Sequence, residues 1–205
     1  FRRFFKSVDS SFTVEKLKPG IVLKHLQEQA KIRSGYAANK ERKNLMAAWN
    51  WGIKYINLPA PNPCMVDKFP EQRHTRYIPP EKDFWKVYEV SQGQDRVMLL
   101  AFLHLAARRS EMFHLRWEDV DFTNQRVRIG TRKRHGGNFE YDWLPMTDEL
   151  FNALLLHKQT AHKEWVFTDL ETGNPFTTRR AFMKGLCKRA EVKPFGFHAI
   201  RHLTA

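Results

Sequence analysis

The sequence predicts a mainly α-helical chain with one small antiparallel β-sheet, divided into two domains. Three observations carry this. Apolar residues recur at three- and four-residue spacing along most of the chain, two short alternating segments flank Gly136-Gly137, and a polar, proline-containing stretch lies between about residues 66 and 80. With 42% apolar residues in 205, there is enough material to bury a real core.

Taken in order, Thr13-Val14-Glu15-Lys16 opens a run with Leu17, Ile21, Leu23 and Leu26 that predicts a helix to about Lys31, its first turn interrupted by Pro19 and Gly20. Ser34-Gly35 punctuates the chain. From about residue 37 to 56, Leu45, Met46, Trp49, Ile53 and Ile56 form one apolar face of a long helix, whose other face carries Lys40, Arg42, Lys43 and Lys54. Leu58-Pro59-Ala60-Pro61-Asn62-Pro63 ends it, because proline lacks the amide hydrogen and clashes with the preceding turn. Residues 66–80, with Pro70, Pro79 and Pro80, read as an interdomain linker, which places the domains at 1–75 and 76–205. Residues 81–90 predict a short amphipathic helix, and residues 95–115 a buried one through Val97, Leu99, Leu100, Phe102, Leu103 and Leu105. Residues 125–129 alternate polar and apolar, residues 139–144 do so less cleanly, and Gly136-Gly137 between them is a hairpin signal. Helical patterns resume at 147–157 and 178–190.

Lys and Arg number 35 against 22 Asp and Glu, a formal charge of +13. Such a surplus favours a polyanionic partner, because each neutralised phosphate releases counterions. Residues 1–75 hold 14 basic and 6 acidic side chains, or +8 of the total, so the first domain is the denser positive surface and the better candidate for gripping a DNA backbone. Cys64 and Cys187 have no CxxC partner, cannot form a zinc site by themselves, and are expected to be free thiols in a reducing cytoplasm. No apolar run approaches the ~18 residues that a membrane span needs, and no signal-peptide pattern is present. The chain opens on Phe1 and closes on Arg201-His202-Leu203-Thr204-Ala205 without a helix stop signal, the pattern expected of a fragment at both ends.

Three elements could carry chemistry: Arg108 in Ala106-Ala107-Arg108-Arg109-Ser110-Glu111, the basic Arg132-Lys133-Arg134, and His198-Ala199-Ile200-Arg201-His202. His198 and Arg201 are three apart and share a face if helical. Guanidinium groups pair with phosphate oxygens through two parallel hydrogen bonds, and a lysine or histidine can pass a proton to a leaving oxygen. Together they suit a phosphodiester transition state, whose charge spreads over the phosphoryl oxygens. Glu118, Asp119 and Asp121 offer a different chemistry, a Mg²⁺ site of a nuclease, against the plainer reading of a turn leading into a strand.

Ala107-Arg108-Arg109-Ser110-Glu111-Met112-Phe113-His114-Leu115-Arg116-Trp117-Glu118-Asp119-Val120-Asp121 resembles the first conserved box of the tyrosine recombinases: an arginine, a glutamate three residues later, then Leu-x-Trp-x-Asp ahead of a strand. His198-Ala199-Ile200-Arg201-His202 resembles the second box, H-x-x-R-H, and Leu144-Pro145-Met146-Thr147 the strand end between them. The helix holding Trp49, with Asn62-Pro63 after it, is similar to the end of the core-binding domain of phage integrases. The resemblance implies a helical core-binding domain followed by an α+β catalytic domain. It implies that Arg108 and Arg201 clamp the scissile phosphate, that His198 assists proton transfer and holds the phosphate, and that Lys133, the only lysine between Arg126 and Leu144, protonates the 5′ leaving oxygen. It further implies double-stranded DNA at recombination core sites as partner, other protomers in a tetrameric synapse, no membrane, and no cofactor or metal, since a 3′-phosphotyrosine link conserves the phosphodiester. Integration is the favoured direction, from the phage-like first domain. In the family the nucleophilic tyrosine follows the second box, whereas Tyr36, Tyr55, Tyr77, Tyr88 and Tyr141 all precede it. The 205 residues are therefore expected to bind DNA without cleaving it covalently, either as part of a longer enzyme or as a DNA-binding remnant.

Overall fold

A computed structural model of the chain describes residues 1–72, 77–131 and 140–204. The chain forms two compact units, Phe1–Thr75 and Arg76–Ala205.

The first unit contains helix α1 (Arg2–Lys6), a 3₁₀ turn (Val14–Lys16), α2 (Pro19–Ile32) and the long α3 (Gly35–Ile56). Pro19, expected to interrupt a helix begun at Thr13, instead starts one: at the first helical position its missing amide hydrogen has no partner to lose. The Ser34 side chain caps α3 by accepting from the Ala37 amide, and left-handed Asn57 closes it. Phe4, Val22, Leu26, Ala38, Leu45, Trp49 and Cys64 form the core. Burial raises the Cys64 thiol to about 11. The buried His25 ring bridges Ser7 Oγ (2.9 Å) and Glu41 Oε2 (3.0 Å).

After α3 the chain folds back along it. Trp49 Nε1 donates to the Pro59 carbonyl at 3.0 Å, and buried Asn62 donates to the Met46 carbonyl (3.1 Å) and Asn50 Oδ1 (2.7 Å) while accepting from the Cys64 amide (2.8 Å). Arg42 Nε donates to the Val66 carbonyl, and Asn39 exchanges two 2.9 Å hydrogen bonds with the Phe69 backbone. The expectation of a linker from residue 66 is thus corrected: residues 66–70 are a strap fixed to α3, because asparagine and arginine side chains satisfy a backbone that forms no secondary structure of its own. Gly35 is required where the strap ends, since a Cβ there would sit 1.9 Å from the Pro70 carbonyl oxygen.

The second unit runs α4 (Glu81–Glu89), α5 (Gly93–Leu105), α6 (Arg109–Phe113), a 3₁₀ turn (Trp117–Asp119), β1 (Val120–Asp121), β2 (Arg126–Thr131), β3 (Glu140–Pro145), α7 (Asp148–Lys158), α8 (Arg180–Arg189) and α9 (Phe197–Ile200). The strands pair antiparallel in the order β1-β2-β3, with Arg126 opposite Pro145 and Thr131 opposite Glu140. Val127, Ile129 and Thr131 point to the core. On the other face Arg126 stacks over Trp143 (4.4 Å) and Arg128 over Tyr141 (4.8 Å). Lys133 and the Gly136-Gly137 hairpin signal lie outside the described residues.

The single buried helix expected over residues 95–115 is in fact two. Ala106 adopts a left-handed conformation (φ 45°) and ends α5, and Arg108, with extended backbone, caps α6. That break carries the first arginine out of a helix side and into a loop. Met98 to Phe102, Phe113, Phe167 and Phe197 are among the residues that fill the core around it.

Candidate active site

Arg108 is held from two directions. Its amide donates to Glu111 Oε2 at 2.7 Å, and its guanidinium Nη1 donates both to Glu111 Oε1 (2.7 Å) and to Thr131 Oγ1 (2.8 Å). The first is the capping-box geometry of α6, so the local helix start and the side-chain anchor use one carboxylate. Burial works against ionisation of Glu111, whose side chain is 8% exposed, yet hydrogen bonds from the Arg108 side chain, the Arg108 amide and Thr131 hold its carboxyl below the ordinary 4.5. With both Nη1 hydrogens engaged, Nε and Nη2 have no acceptor among the described residues, and they are the edge with which arginine grips a phosphate in two parallel bonds.

The second box is delivered by an aromatic stack. Phe197, the first residue of α9, lies 4.6 Å from Phe102 of α5 in near-parallel stacking, 5.6 Å edge-on to Phe113 of α6, and 6.1 Å from Phe182 of α8. Phe102 and Phe113 sit on either side of the Ala106 break, so packing of Phe197 fixes the short α9 against the loop that holds Arg108. His198 follows Phe197 directly and is exposed; its Nε2 lies 3.2 Å from that of His202, one ring donating and the other accepting. Arg201 caps α9 and pairs with no carboxylate among the described residues.

Arg108, His198 and Arg201 line one cavity of about 890 Å³. Arg109, Arg179, Arg180 and Lys184 also line it, and no Asp or Glu is among its described lining residues. Such a concentration of cations with hydrogen-bond donors is a site for an oxyanion. The last four were missed in the sequence. Arg180 and Lys184 are four apart on α8, a spacing that a search for basic helical stripes would have caught. Arg179 had no such signal. Its guanidinium lies 3.7 Å from the Phe182 ring centroid and is tied by two hydrogen bonds to Asp95, across an 84-residue separation that pattern reading does not reach.

The carboxylates of the metal reading have other work. Asp119 accepts from Arg128 Nε at 2.7 Å, and Asp121 holds the turn through the Asn124 amide (3.0 Å) and side chain (2.8 Å) and pairs with Arg126 at 2.9 Å. The Asn124 bonds are the main reason the Asp121 carboxyl titrates below its ordinary value. Glu118 lies 3.7 Å from Arg116. These residues brace the turn into the sheet, and among the described residues no group of three or more His, Cys, Asp or Glu side chains converges on a cation site. Among the described residues, likewise, no helix is long and apolar enough to cross a membrane.

The chain thus combines a helical first unit, a second unit of helices around a small antiparallel sheet, and a cavity in that second unit lined by two arginines and a histidine from distant boxes. The phage integrase family model matches residues 82–205, and the chain belongs to that family. It is 24% identical over 234 residues to a tyrosine recombinase XerC-like protein of Caldanaerobacter subterraneus subsp. tengcongensis, an alignment covering 90% of this chain and 60% of that relative. Its fold is similar to that of the Tn1549 transposon integrase in complex with transposon right end DNA (TM-score 0.77, 17% identity, covering 99% of this chain and 76% of that one). It is also similar to a lambda integrase dimer bound to a core site (TM-score 0.73, 16% identity, 99% and 77%) and to a lambda integrase tetramer bound to a Holliday junction (TM-score 0.76, 16% identity, 99% and 62%).

Proposed function

We propose that the protein to which this chain belongs is a site-specific DNA recombinase or integrase acting through a 3′-phosphotyrosine intermediate. The observation that carries this reading is the cavity shared by Arg108, His198 and Arg201 and free of carboxylates among its described lining. Arg108 and Arg201 bind the non-bridging oxygens of the scissile phosphate, so that charge developing in the transition state meets guanidinium groups already in place. A tyrosine oxygen attacks phosphorus, the bond to the 5′ oxygen breaks, and that oxygen leaves with a proton from Lys133, in the role the family pattern gives it. His198 holds the phosphate and assists proton transfer at the tyrosine oxygen. A 5′ hydroxyl of another strand then gives up its proton and attacks the phosphotyrosine, the bond from phosphorus to the tyrosine oxygen breaks, and that oxygen leaves as the reprotonated phenol, so the phosphodiester is restored and no nucleotide is hydrolysed.

None of the five tyrosines lines the cavity. By the order of the family's boxes the nucleophile follows His202, and the 205 residues by themselves bind duplex DNA without covalent cleavage. The resemblance to integrases solved on DNA, as a dimer and as a tetramer, supports duplex DNA and further protomers as the partners. In the full-length protein, Arg108→Ala or Arg201→Ala should abolish strand transfer, a loss on the order of 10³-fold or more, while gel-shift affinity for the site stays close to wild type. Undiminished transfer by either variant would overturn the reading.

A further inference from the structure

We infer that Thr131 is a positioning residue for the phosphate-binding arginine: its hydroxyl fixes the guanidinium plane of Arg108 so that the Nε–Nη2 edge faces the phosphate. This rests on the proposed role of Arg108. Thr131 is the last residue of β2 and is buried, 7% exposed, with its side chain on the core side of the sheet. Its Oγ1 accepts from Arg108 Nη1 at 2.8 Å, across 23 residues of sequence, and Nη1 gives its other hydrogen to Glu111 Oε1 at 2.7 Å.

The two acceptors do different things. Glu111 alone, three residues from Arg108, fixes one point on the guanidinium and supplies charge, but one point leaves the plane free to turn about that bond. A second acceptor on the same nitrogen removes the rotation, and it must come from elsewhere in the fold. Thr131 supplies it from the sheet. A guanidinium fork that is planar and rigid transmits this: orienting Nη1 orients Nε and Nη2 as well. An arginine so fixed has already spent its rotamer freedom before the DNA arrives, the condition for stabilising a transition state without reorganisation. Threonine suits the position twice over. Its β-branched side chain fits a strand, and its hydroxyl accepts from the arginine while its hydrogen serves the adjacent carboxylate.

Thr131→Val keeps the shape and removes the hydroxyl. Thr131→Ala removes the hydroxyl and the branch, and Thr131→Ser retains the hydroxyl. The three are compared with wild type and Arg108→Ala in the full-length protein, by single-turnover cleavage of a labelled duplex carrying its recombination site, with site affinity by gel shift and folding by thermal melting. Val and Ala should slow cleavage on the order of tenfold to a hundredfold, with site affinity unchanged, and Ser should cleave near the wild-type rate. A wild-type rate for Thr131→Val beside an inactive Arg108→Ala overturns the inference and leaves the recombinase reading standing. A Ser variant as slow as Val also overturns it, since the loss would then follow packing rather than the hydroxyl. An Arg108→Ala variant that cleaves at full rate overturns both. If Val melts far below wild type, the comparison of Ala with Ser decides.

Discussion

Glu111 shows how one side chain is asked to do two things at once. It caps α6 through the Arg108 amide, it pairs with the Arg108 guanidinium at 2.7 Å, and it does so in a nearly dry place, 8% exposed. Burial alone would raise its carboxyl, but the hydrogen bonds from Arg108 and Thr131 win and hold it below 4.5. The sign of the linkage follows. A carboxyl whose folded value is depressed contributes stability that is fully present above the unfolded value and is lost as pH falls through the folded value. The second unit should therefore lose stability as pH drops below 4.5, and part of that loss should come from Glu111. Glu111→Gln keeps the shape and removes the titration. It should cost roughly 1.5–3 kcal/mol at neutral pH, the range of hydrogen bonds to charged groups, and it should flatten the acid limb of a series of melts between neutral and strongly acid pH. An acid limb as steep in the variant as in wild type would show that Glu111 is not among the groups responsible.

At the scale of elements, the strap along α3 makes a sharper demand than any helix. Residues 57–70 form no helix or strand of their own; Trp49, Arg42 and Asn39 of α3 donate to the carbonyls of Pro59, Val66 and Phe69, and Asn62 of the strap donates to the Met46 carbonyl of α3. Gly35→Ala would place a methyl group 1.9 Å from the Pro70 carbonyl oxygen, a backbone atom that cannot swing aside. The first unit should lose roughly 1–3 kcal/mol, the cost of overpacking, read as an earlier melting transition for residues 1–75 with that of the second unit unmoved; no shift in either transition would mean that the strap does not dock there. This element was hidden in the sequence for a physical reason: a proline-rich polar run looks the same whether it is solvated or pinned by distant side chains. The helices were legible because burial of one face writes a period into the sequence. The Ala106 break was not, since alanine has no turn chemistry and a left-handed φ of 45° is one that its Cβ disfavours. The same holds for the site. Arg108, His198 and Arg201 could be read from their motifs, but that they share a cavity depends on Phe197 meeting Phe102 and Phe113, and Arg179 depends on Asp95.

At the scale of the molecule, the proposed function divides the +13 charge between contacts that do chemistry and contacts that only hold DNA. By the proposal above Arg108 and Arg201 hold a single phosphate, so these two contribute little to overall affinity. On α3, Lys40, Lys43 and Lys54 recur at helical spacing and are exposed, interleaved with Tyr36 and Trp51, which are 63% and 56% exposed. Arg42, expected on the same basic face, spends its Nε hydrogen on the Val66 carbonyl. A stripe of this kind, in a unit of charge +8, suits phosphates along one groove edge and reads no sequence. Anisotropy of a labelled duplex, measured from about 50 to 200 mM salt, should show affinity falling on the order of 10³-fold if six or more phosphates are neutralised. Replacing Lys40, Lys43 and Lys54 together by Gln should flatten the slope of log affinity against log salt by roughly 2–3, at about 0.9 for each phosphate released. Arg201→Ala, which removes a single contact, should change that slope by about 1 at most. If the triple variant kept the wild-type slope, the α3 stripe would be a solvated face, and the phosphate grip would have to lie on the second unit instead.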